Sequence, residues 1–359
     1  MDKIDIKSPN KIRIKDIAVE AGVSTGTVDR VLHGRPNVSE ESRAKVEEVL
    51  KRINYQPNRY ASALASNKSY RFECLMPEHQ ENDYWSFIEK GIQEAVINYR
   101  DFNINIGINY YNPYQPESFL EQGHKLLDKQ PEGVILVPTE KSVTEIITTK
   151  LHATNIPFIF LDSTHPELQP LSFYGQDPRK SGYFAANMLD YMTKPNGEVI
   201  IFKQLIAGRI GSNQQMQREE GFREYFKTHR PDVTISELNL PFEHPERYDA
   251  ELDNYFARHT EAESGITFFS RAFYIGEYLK HHPLKTFHLI GYDLLEKNRQ
   301  YLKEGAIEFL ITQHPNYQGF SCVKTLFEHL VLKKEVECNH YMPIELLSVY
   351  NVDFYQTML

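Results

Sequence analysis

The spacing of apolar residues changes character near residue 70. Before that point they recur at helical intervals. Ile14, Ile17, Ala18 and Ala21 form one stripe, and Gly22 follows where a helix should stop. Ser24 reads as the N-cap of a second helix, with Val28, Val31 and Leu32 on its apolar face. Gly34, Pro36 and Asn37 interrupt it. Ser39 predicts the cap of a third helix, with Glu40 and Glu41 in the first turn, where the helix dipole favours negative charge. Val46, Val49, Leu50 and Ile53 are its stripe. Asn54-Tyr55-Gln56-Pro57-Asn58 then reads as a linker, followed by a short amphipathic run from Arg59 to Ala65, one or two turns of conditional helix.

From residue 71 onward, short apolar runs stand at 72–76, 104–108, 134–137, 156–161, 199–202, 233–238, 266–269, 287–290 and 308–312. Segments of helical period separate most of them, such as Phe87 to Tyr99. This alternation predicts parallel sheets covered by helices. Nine strands are many for one sheet, so two lobes are expected. The expected fold class is α/β: a three-helix headpiece over 1–56, a hinge over 57–70 and a two-lobed α/β domain over 71–359.

Charge sharpens this division. The whole chain carries a net −9, which argues against a nucleic-acid partner. Residues 1–70, however, hold 13 Lys and Arg against 9 Asp and Glu, a balance of +4, and the remainder holds 27 against 40, a balance of −13. A basic head on an acidic body fits a protein that touches DNA with one end. The three cysteines, Cys74, Cys322 and Cys338, cannot all pair and show no metal-ligand spacing, which suits free thiols in a reducing compartment. Met1 to Asn10 lacks an apolar core of the secretory type, and no run approaches 18 apolar residues. A cytoplasmic protein that avoids membranes is expected.

Enzymatic signals are weak. Gly22-Val23-Ser24-Thr25-Gly26 matches G-x-S-x-G, yet a predicted helix precedes it where that motif needs a strand. His281-His282 cannot share a helix face and reads as solvated loop rather than metal ligand. No phosphate-cradling glycine loop is visible. Neither catalysis, a cofactor nor a metal is expected.

The first two helices have a logic of their own. Small Ala18 and Ala21 let them cross closely around the Gly22 turn, so that the start of the second helix points into a DNA major groove. Thr25, Gly26 and Arg30 lie on its exposed side, and an arginine there can bond guanine with both arms of its fork. The stretch "IKDIAVEAGVSTGTVDRVLHGRPNVSEESRAKVEEVLKRINYQPNRYASALA" resembles the lactose-repressor family without a gap, through the third helix and the linker. The resemblance implies that Thr25, Gly26 and Arg30 read bases, and that Ser24, Thr27 and Asn37 contact phosphates or groove walls. It likewise assigns Asn58 and Arg59 of the hinge to DNA. Leu64 matches the leucine that family members insert into the minor groove, although simple packing against the body is the alternative. Asp29 stands where the family usually has Ser, and Gly26 brings no side chain. Both put the operator sequence beyond inference.

The body resembles the periplasmic sugar-binding fold that forms this family's effector domain, where ligands sit in the cleft between lobes at strand ends. Asn82, Tyr84 and Trp85 match a ligand-contacting segment; the two aromatics either stack on a sugar or pack in the core. Asp162 and Asp293 end strands and either accept from ligand hydroxyls or cap the next helix. Gln313 lies in the expected lobe-crossing segment. Two departures weaken the sugar reading. Met216 replaces an arginine that relatives place five residues before Gly221, Arg218 matching a second, more structural one. Ser270 replaces an asparagine, with Arg271 beside it, which leaves an acidic ligand open. Arg209, Asn213 and Gln214 are candidate substitutes.

Taken together, these residues describe a ligand-responsive, sequence-specific transcriptional regulator, a repressor, bound to double-stranded operator DNA as a homodimer or tetramer. A sugar or sugar-like effector is expected to change its DNA affinity. The alternative is a periplasmic-type sugar receptor without enzymatic activity, against which the headpiece argues.

Overall fold

The structure is a computed structural model. It describes residues 12–355 except 33, 56, 57, 67, 207, 208, 211, 242, 243 and 283–286, with the backbone alone at 206, 209 and 210. The expectation about Met1 to Asn10 and the linker residues Gln56 and Pro57 therefore lie outside the described residues. The chain divides into two compact units, Met1–Ser62 and Ala63–Leu359.

The first unit contains α1 (Ile14–Ala21), α2 (Thr25–Leu32) and α3 (Glu40–Arg52). Gly22 closes α1 at φ 63°, a left-handed conformation that costs a residue without Cβ little. The Ser24 hydroxyl accepts from the Thr27 amide at 3.1 Å and so caps α2. Ser39 does the same for α3 through the Ser42 amide at 3.2 Å. Ile17, Ala18, Ala21, Val28, Val31, Val46 and Val49 form one buried cluster between the three helices. A further helix, α4 (Arg59–Ala65), buries none of its residues.

In the second unit, one lobe begins β1 (Tyr70–Pro77), α5 (Tyr84–Asn98), β2 (Ile104–Tyr111), α6 (Pro116–Asp128), β3 (Gly133–Leu136), α7 (Lys141–Ala153), β4 (Phe158–Leu161) and β5 (Ser172–Gly175). The chain then crosses over. The other lobe contains α8 (Pro178–Asp190), β6 (Glu198–Ile206), β7 (Arg209–Ile210), α9 (Asn213–His229), β8 (Thr234–Pro241), α10 (Tyr248–Phe256) and β9 (Ala262–Thr267). It continues through α11 (Phe273–His281), β10 (His288–Tyr292), α12 (Glu296–Lys303) and β11 (Phe309–Thr312). A second crossing returns to the first lobe for α13 (Pro315–Leu330) and β12 (Asn339–Tyr341), and a third leads to β13 (Glu345–Leu347).

The sheets share one topology. The order β2-β1-β3-β4-β5-β12 in the first lobe corresponds to β8-β6-β9-β10-β11-β13 in the second, with the short β7 pairing antiparallel beside β6. Each is a doubly wound sheet whose strand order reverses beside its first strand, which places a crevice at the strand ends. All nine apolar runs of the sequence are strands. The strands it lacked, β5, β7, β12 and β13, are short, and β5 (Ser-Phe-Tyr-Gly) shows no alternation because all four residues are buried. Gln176, in the first crossing, ties the three crossings together: its Nε2 donates to the carbonyls of Thr312 at 3.1 Å and Pro343 at 2.8 Å.

Glycines set the closest helix contacts. In the first lobe α5 and α13 cross so tightly that a Cβ on Gly319 would lie 2.1 Å from the Ile88 carbonyl oxygen, and one on Gly91 1.9 Å from that of Asn316. Both obstacles are backbone and cannot rotate away. We expect Gly319→Ala to push the helices apart and destabilise the body by about 1–3 kcal/mol, the cost of overpacking. Urea unfolding reads this, and an unchanged midpoint would contradict it.

Candidate functional site

On the headpiece, the capping that starts α2 also fixes what it exposes. With Val28 and Val31 turned into the core, Thr25, Gly26 and Arg30 are exposed, and Thr27 is half-buried. The Ser24 and Thr27 hydroxyls bond each other at 3.0 Å. The absent side chain at Gly26 leaves room beside the Arg30 guanidinium, whose Nη1 would lie 3.8 Å from a Cβ there. Asp29, the unusual residue of this helix, pairs with Arg35 at 3.2 Å, so its charge is partly neutralised by the same unit. Asn37 is exposed at φ 67°. In the hinge, Asn58 caps α4 by accepting from the Ala61 amide at 3.1 Å, Arg59 is exposed, and Leu64 is 46% exposed. Leu64 is thus not held in a core.

Within the body, strand ends from the two lobes bring polar side chains together. Asp162 follows β4 and Asp293 follows β10, equivalent strands of the two sheets. Both adopt left-handed backbone, at φ 71° and 68°, unusual for a residue bearing Cβ. Neither caps a helix. Asp162 accepts from the Tyr84 hydroxyl at 2.7 Å. Asp293 accepts from Ser270 Oγ at 2.6 Å and Gln313 Nε2 at 2.9 Å. Arg218, buried on α9, stacks on the Tyr292 ring at 4.1 Å and donates to Gln313 Oε1 at 3.1 Å and the Phe268 carbonyl at 3.3 Å. Gln318 of α13 donates to the Gln313 carbonyl at 2.7 Å. The buried Arg218 Nε and Gln318 Oε1 have no hydrogen-bond partner among the described residues. Across the lobes, Gln214 Nε2 donates to the Asp162 carbonyl at 3.0 Å, and Arg271 holds the Asp83 carboxylate at 3.0 and 3.2 Å.

Electrostatics follow from burial. Loss of water pushes the Asp162 carboxyl up to about 6, against the Tyr84 hydrogen bond and Arg218, which pull it down, while Asp293 adds to the rise. Asp293 is raised too, first by burial, with Arg218 opposing. For Asp162 the shift from 3.8 amounts to roughly 3 kcal/mol of preference for the protonated form. Between those pH values the native state keeps a proton that the unfolded chain has released. Stability therefore falls as pH rises through that window and stays at its lower value above it. We expect Asp162→Asn to flatten the slope of melting temperature between pH 4 and 6 and to raise the melting point at pH 7. Asp293, also raised by burial, adds to the slope with the same sign. Identical slopes in the variant and the parent would assign the titration elsewhere.

Several expected site residues fall differently. Tyr84, Asp162, Ser270, Asp293 and Gln313 converge. Met216 does not: it is exposed, two residues away from both Gln214 and Arg218 on α9, and so on the opposite face of that helix. The arginine regarded as structural, Arg218, is the one buried among the converging polar groups. Its position four residues after Gln214, on one helical face, was the available signal. Trp85 packs against the core of the first lobe and lies edge-on to Tyr84 at 5.1 Å, and Phe87 is the neighbouring aromatic, which with Tyr84, Asp293 and Gln313 lines a small cavity. The helix expected from Phe87 begins at Tyr84. Asn82 is exposed, at φ 65°, in the turn before that helix. Arg271 is engaged with Asp83 rather than open to an acidic ligand. Asn213 starts α9, and the Arg209 side chain lies outside the described residues. His281 closes α11 and His282 caps it, so the pair is a helix end, not a loop. The G-x-S-x-G stretch joins α1 to α2 and has no strand before it. Among the described residues no cluster of three or more His, Cys, Asp or Glu can hold a metal, and no helix is long and apolar enough to cross a membrane.

Known proteins match both units. Residues 13–58 match the model of bacterial regulatory proteins of the lacI family, and residues 74–335 that of a periplasmic binding protein domain. Catabolite control protein A of Staphylococcus aureus is 34% identical over 148 residues, 41% of this chain and 43% of that protein. The transcriptional regulator pepR1 of Lactobacillus delbrueckii is 34% identical over 178 residues, 50% of this chain and 51% of its own length. These alignments thus span about half or less of the curated relatives. A Bacteroides fragilis structure assigned to LacI transcriptional regulators is 45% identical with a TM-score of 0.78, covering 80% of this chain and all of that one. A glucose-galactose binding protein of Geobacillus stearothermophilus, at 21% identity and TM-score 0.64, shares the fold of the body. The capped helix pair, the twin doubly wound sheets and these matches agree: the chain belongs to the lacI family of bacterial regulatory proteins, with a body of the periplasmic binding protein fold.

Proposed function

We propose that this protein is a ligand-responsive repressor that binds operator DNA in sequence-specific fashion and is not an enzyme. Thr25, Gly26 and Arg30 read bases, with Ser24, Thr27, Asn37, Asn58 and Arg59 on phosphates or groove walls, and the exposed Leu64 enters the minor groove. Two chains bind two half-sites of a near-palindrome, as protein twofold symmetry requires. The setting is the cytoplasm, where such DNA is found.

The effector is a neutral, hydroxyl-rich small molecule, a sugar or close derivative. The observation that carries this is the polar content of the cleft. Two buried carboxylates face one guanidinium, so the site carries net negative charge and repels anions. Its carboxylates, amides and the Arg218 fork offer the mixture of acceptors and donors that hydroxyls require. Two buried polar atoms behind them, Arg218 Nε and Gln318 Oε1, have no hydrogen-bond partner among the described residues. Occupancy shifts the two-lobe equilibrium, and through the hinge it changes DNA affinity.

The test has two stages. A thermal-shift screen against sugars, sugar acids and sugar phosphates finds the stabilising ligand by mass action. Anisotropy titration on a duplex selected from a random pool then measures operator affinity with and without it. A protein whose DNA affinity no ligand changes, or one that stays monomeric on DNA, refutes the mechanism. A hit confined to the acids or phosphates refutes the neutral effector.

A further inference from the structure

We propose that Tyr355 forms one wall of the effector cavity and limits it to a ligand of monosaccharide size. This rests on the effector reading above and adds a residue to it. A cavity of about 170 Å³ lies between Tyr84 and Phe87 of α5, the Asp293 turn, the second crossing at Gln313, and Tyr355. It is smaller than the ~300–1,000 Å³ typical of pockets for drug-sized ligands. Tyr355 reaches it from far along the chain, on a strap that follows β13.

Three contacts hold that strap. Val352 is buried in the core of the second lobe. Asp353 is clamped on α12 by Arg299 at 2.7 Å and Lys303 at 2.6 Å. Tyr355 then stacks on the buried His314 of the second crossing, with ring centroids 5.0 Å apart and planes 23° from parallel. Its hydroxyl lies 3.1 Å from His314 Nδ1, and His314 Nε2 is in turn 2.8 Å from Glu345 of β13. The ring is therefore fixed between a lobe-crossing residue and the cavity. Burial pushes the phenol up to about 12, so it stays neutral. A rigid aromatic face beside acceptors such as Asp293 suits a ring that has an apolar C–H face and hydroxyl edges.

Two measurements on the full chain test this independently. The first needs no ligand. In a Cys338→Ser background, Thr312→Cys places a thiol in the cavity, and its rate of modification by a methanethiosulfonate is followed. Adding Tyr355→Ala should raise that rate roughly tenfold, because the covering ring is gone. The second is calorimetry of the parent, Tyr355→Phe and Tyr355→Ala with D-ribose, D-arabinose, D-glucose, D-galactose and lactose. The sugar that binds the parent should lose roughly tenfold in affinity with Tyr355→Ala and stay within about threefold with Tyr355→Phe. An unchanged labelling rate overturns the wall, as does unchanged sugar affinity in Tyr355→Ala. Faster labelling with no sugar binding to the parent keeps the wall and overturns the sugar effector instead.

Discussion

Replacing Arg30 with alanine is expected to cut the distinction between operator and random duplex by some 30-fold or more while leaving the headpiece folded. The guanidinium is exposed on α2 and takes no part in the cluster around Ile17, Val28 and Val46 that holds the helices together. Removing it costs no packing. A bidentate contact to guanine provides about 1–3 kcal/mol of discrimination. With one such contact in each half-site of the proposed dimer, the loss would be roughly 2–6 kcal/mol, or some 30-fold and more in specific affinity. Non-specific binding, which comes from phosphate contacts, should fall much less. Anisotropy titrations on a selected and a scrambled duplex, at one fixed salt concentration, separate the two terms. A variant that retains the parent's ratio between those affinities would remove Arg30 from the reading surface. A drop in the headpiece's melting point would mean that the side chain supports the fold.

Arg218→Met should damage the body most. The guanidinium is buried beside Tyr292, Gln313 and two carboxylates. Methionine fills similar volume but leaves Asp293 without the cation that opposes its desolvation. Breaking a buried charge cluster by deleting one partner costs about 3–5 kcal/mol. Effector response should weaken as well, since the arginine holds Gln313 and faces Asp293, both of which line the cavity. The accompanying test is Asp293→Asn in the same chain. A neutral amide needs no counter-charge, so the double variant should recover part of the lost stability, and the coupling in a double-mutant cycle should be favourable. Strictly additive losses would show that Arg218 and Asp293 do not act together.

The headpiece was readable from sequence because its determinants are local. Gly22, Ser24 and Ser39 work within three or four residues of themselves, through a left-handed turn and two side-chain caps. The nine strands read from the sequence were readable for a related reason: each holds a short apolar run, and most are buried by sheet and helix together, while β2 and β8 lie at sheet edges and are partly exposed. β5, β12 and β13 escaped because they are held by pairing with distant strands rather than by their own pattern.

Site residues divided along the same line. Asp162, Asp293 and Gln313 could be picked out because each follows an apolar run, and strand ends are where a doubly wound fold places its crevice. The choice between Met216 and Arg218 was not a matter of spacing before a glycine. It depended on which face of α9 meets β9 and β10, and that face presents Gln214 and Arg218. Trp85 illustrates the same dependence: its neighbours Tyr84 and Phe87 face the cavity, while the indole is turned onto the core by the rotation of α5.

Sequence alone determined a basic, capped helical headpiece on an acidic two-lobed α/β body, because charge distribution, caps and apolar period are properties of neighbouring residues. Only the tertiary structure decided how the cleft is composed. It joined Asp83 to Arg271 across 188 positions, pinned three crossings on Gln176, and brought Tyr355 onto His314. Such contacts arise where separate strands end together, and the order in which sheets pair their strands is not written in any short stretch of chain.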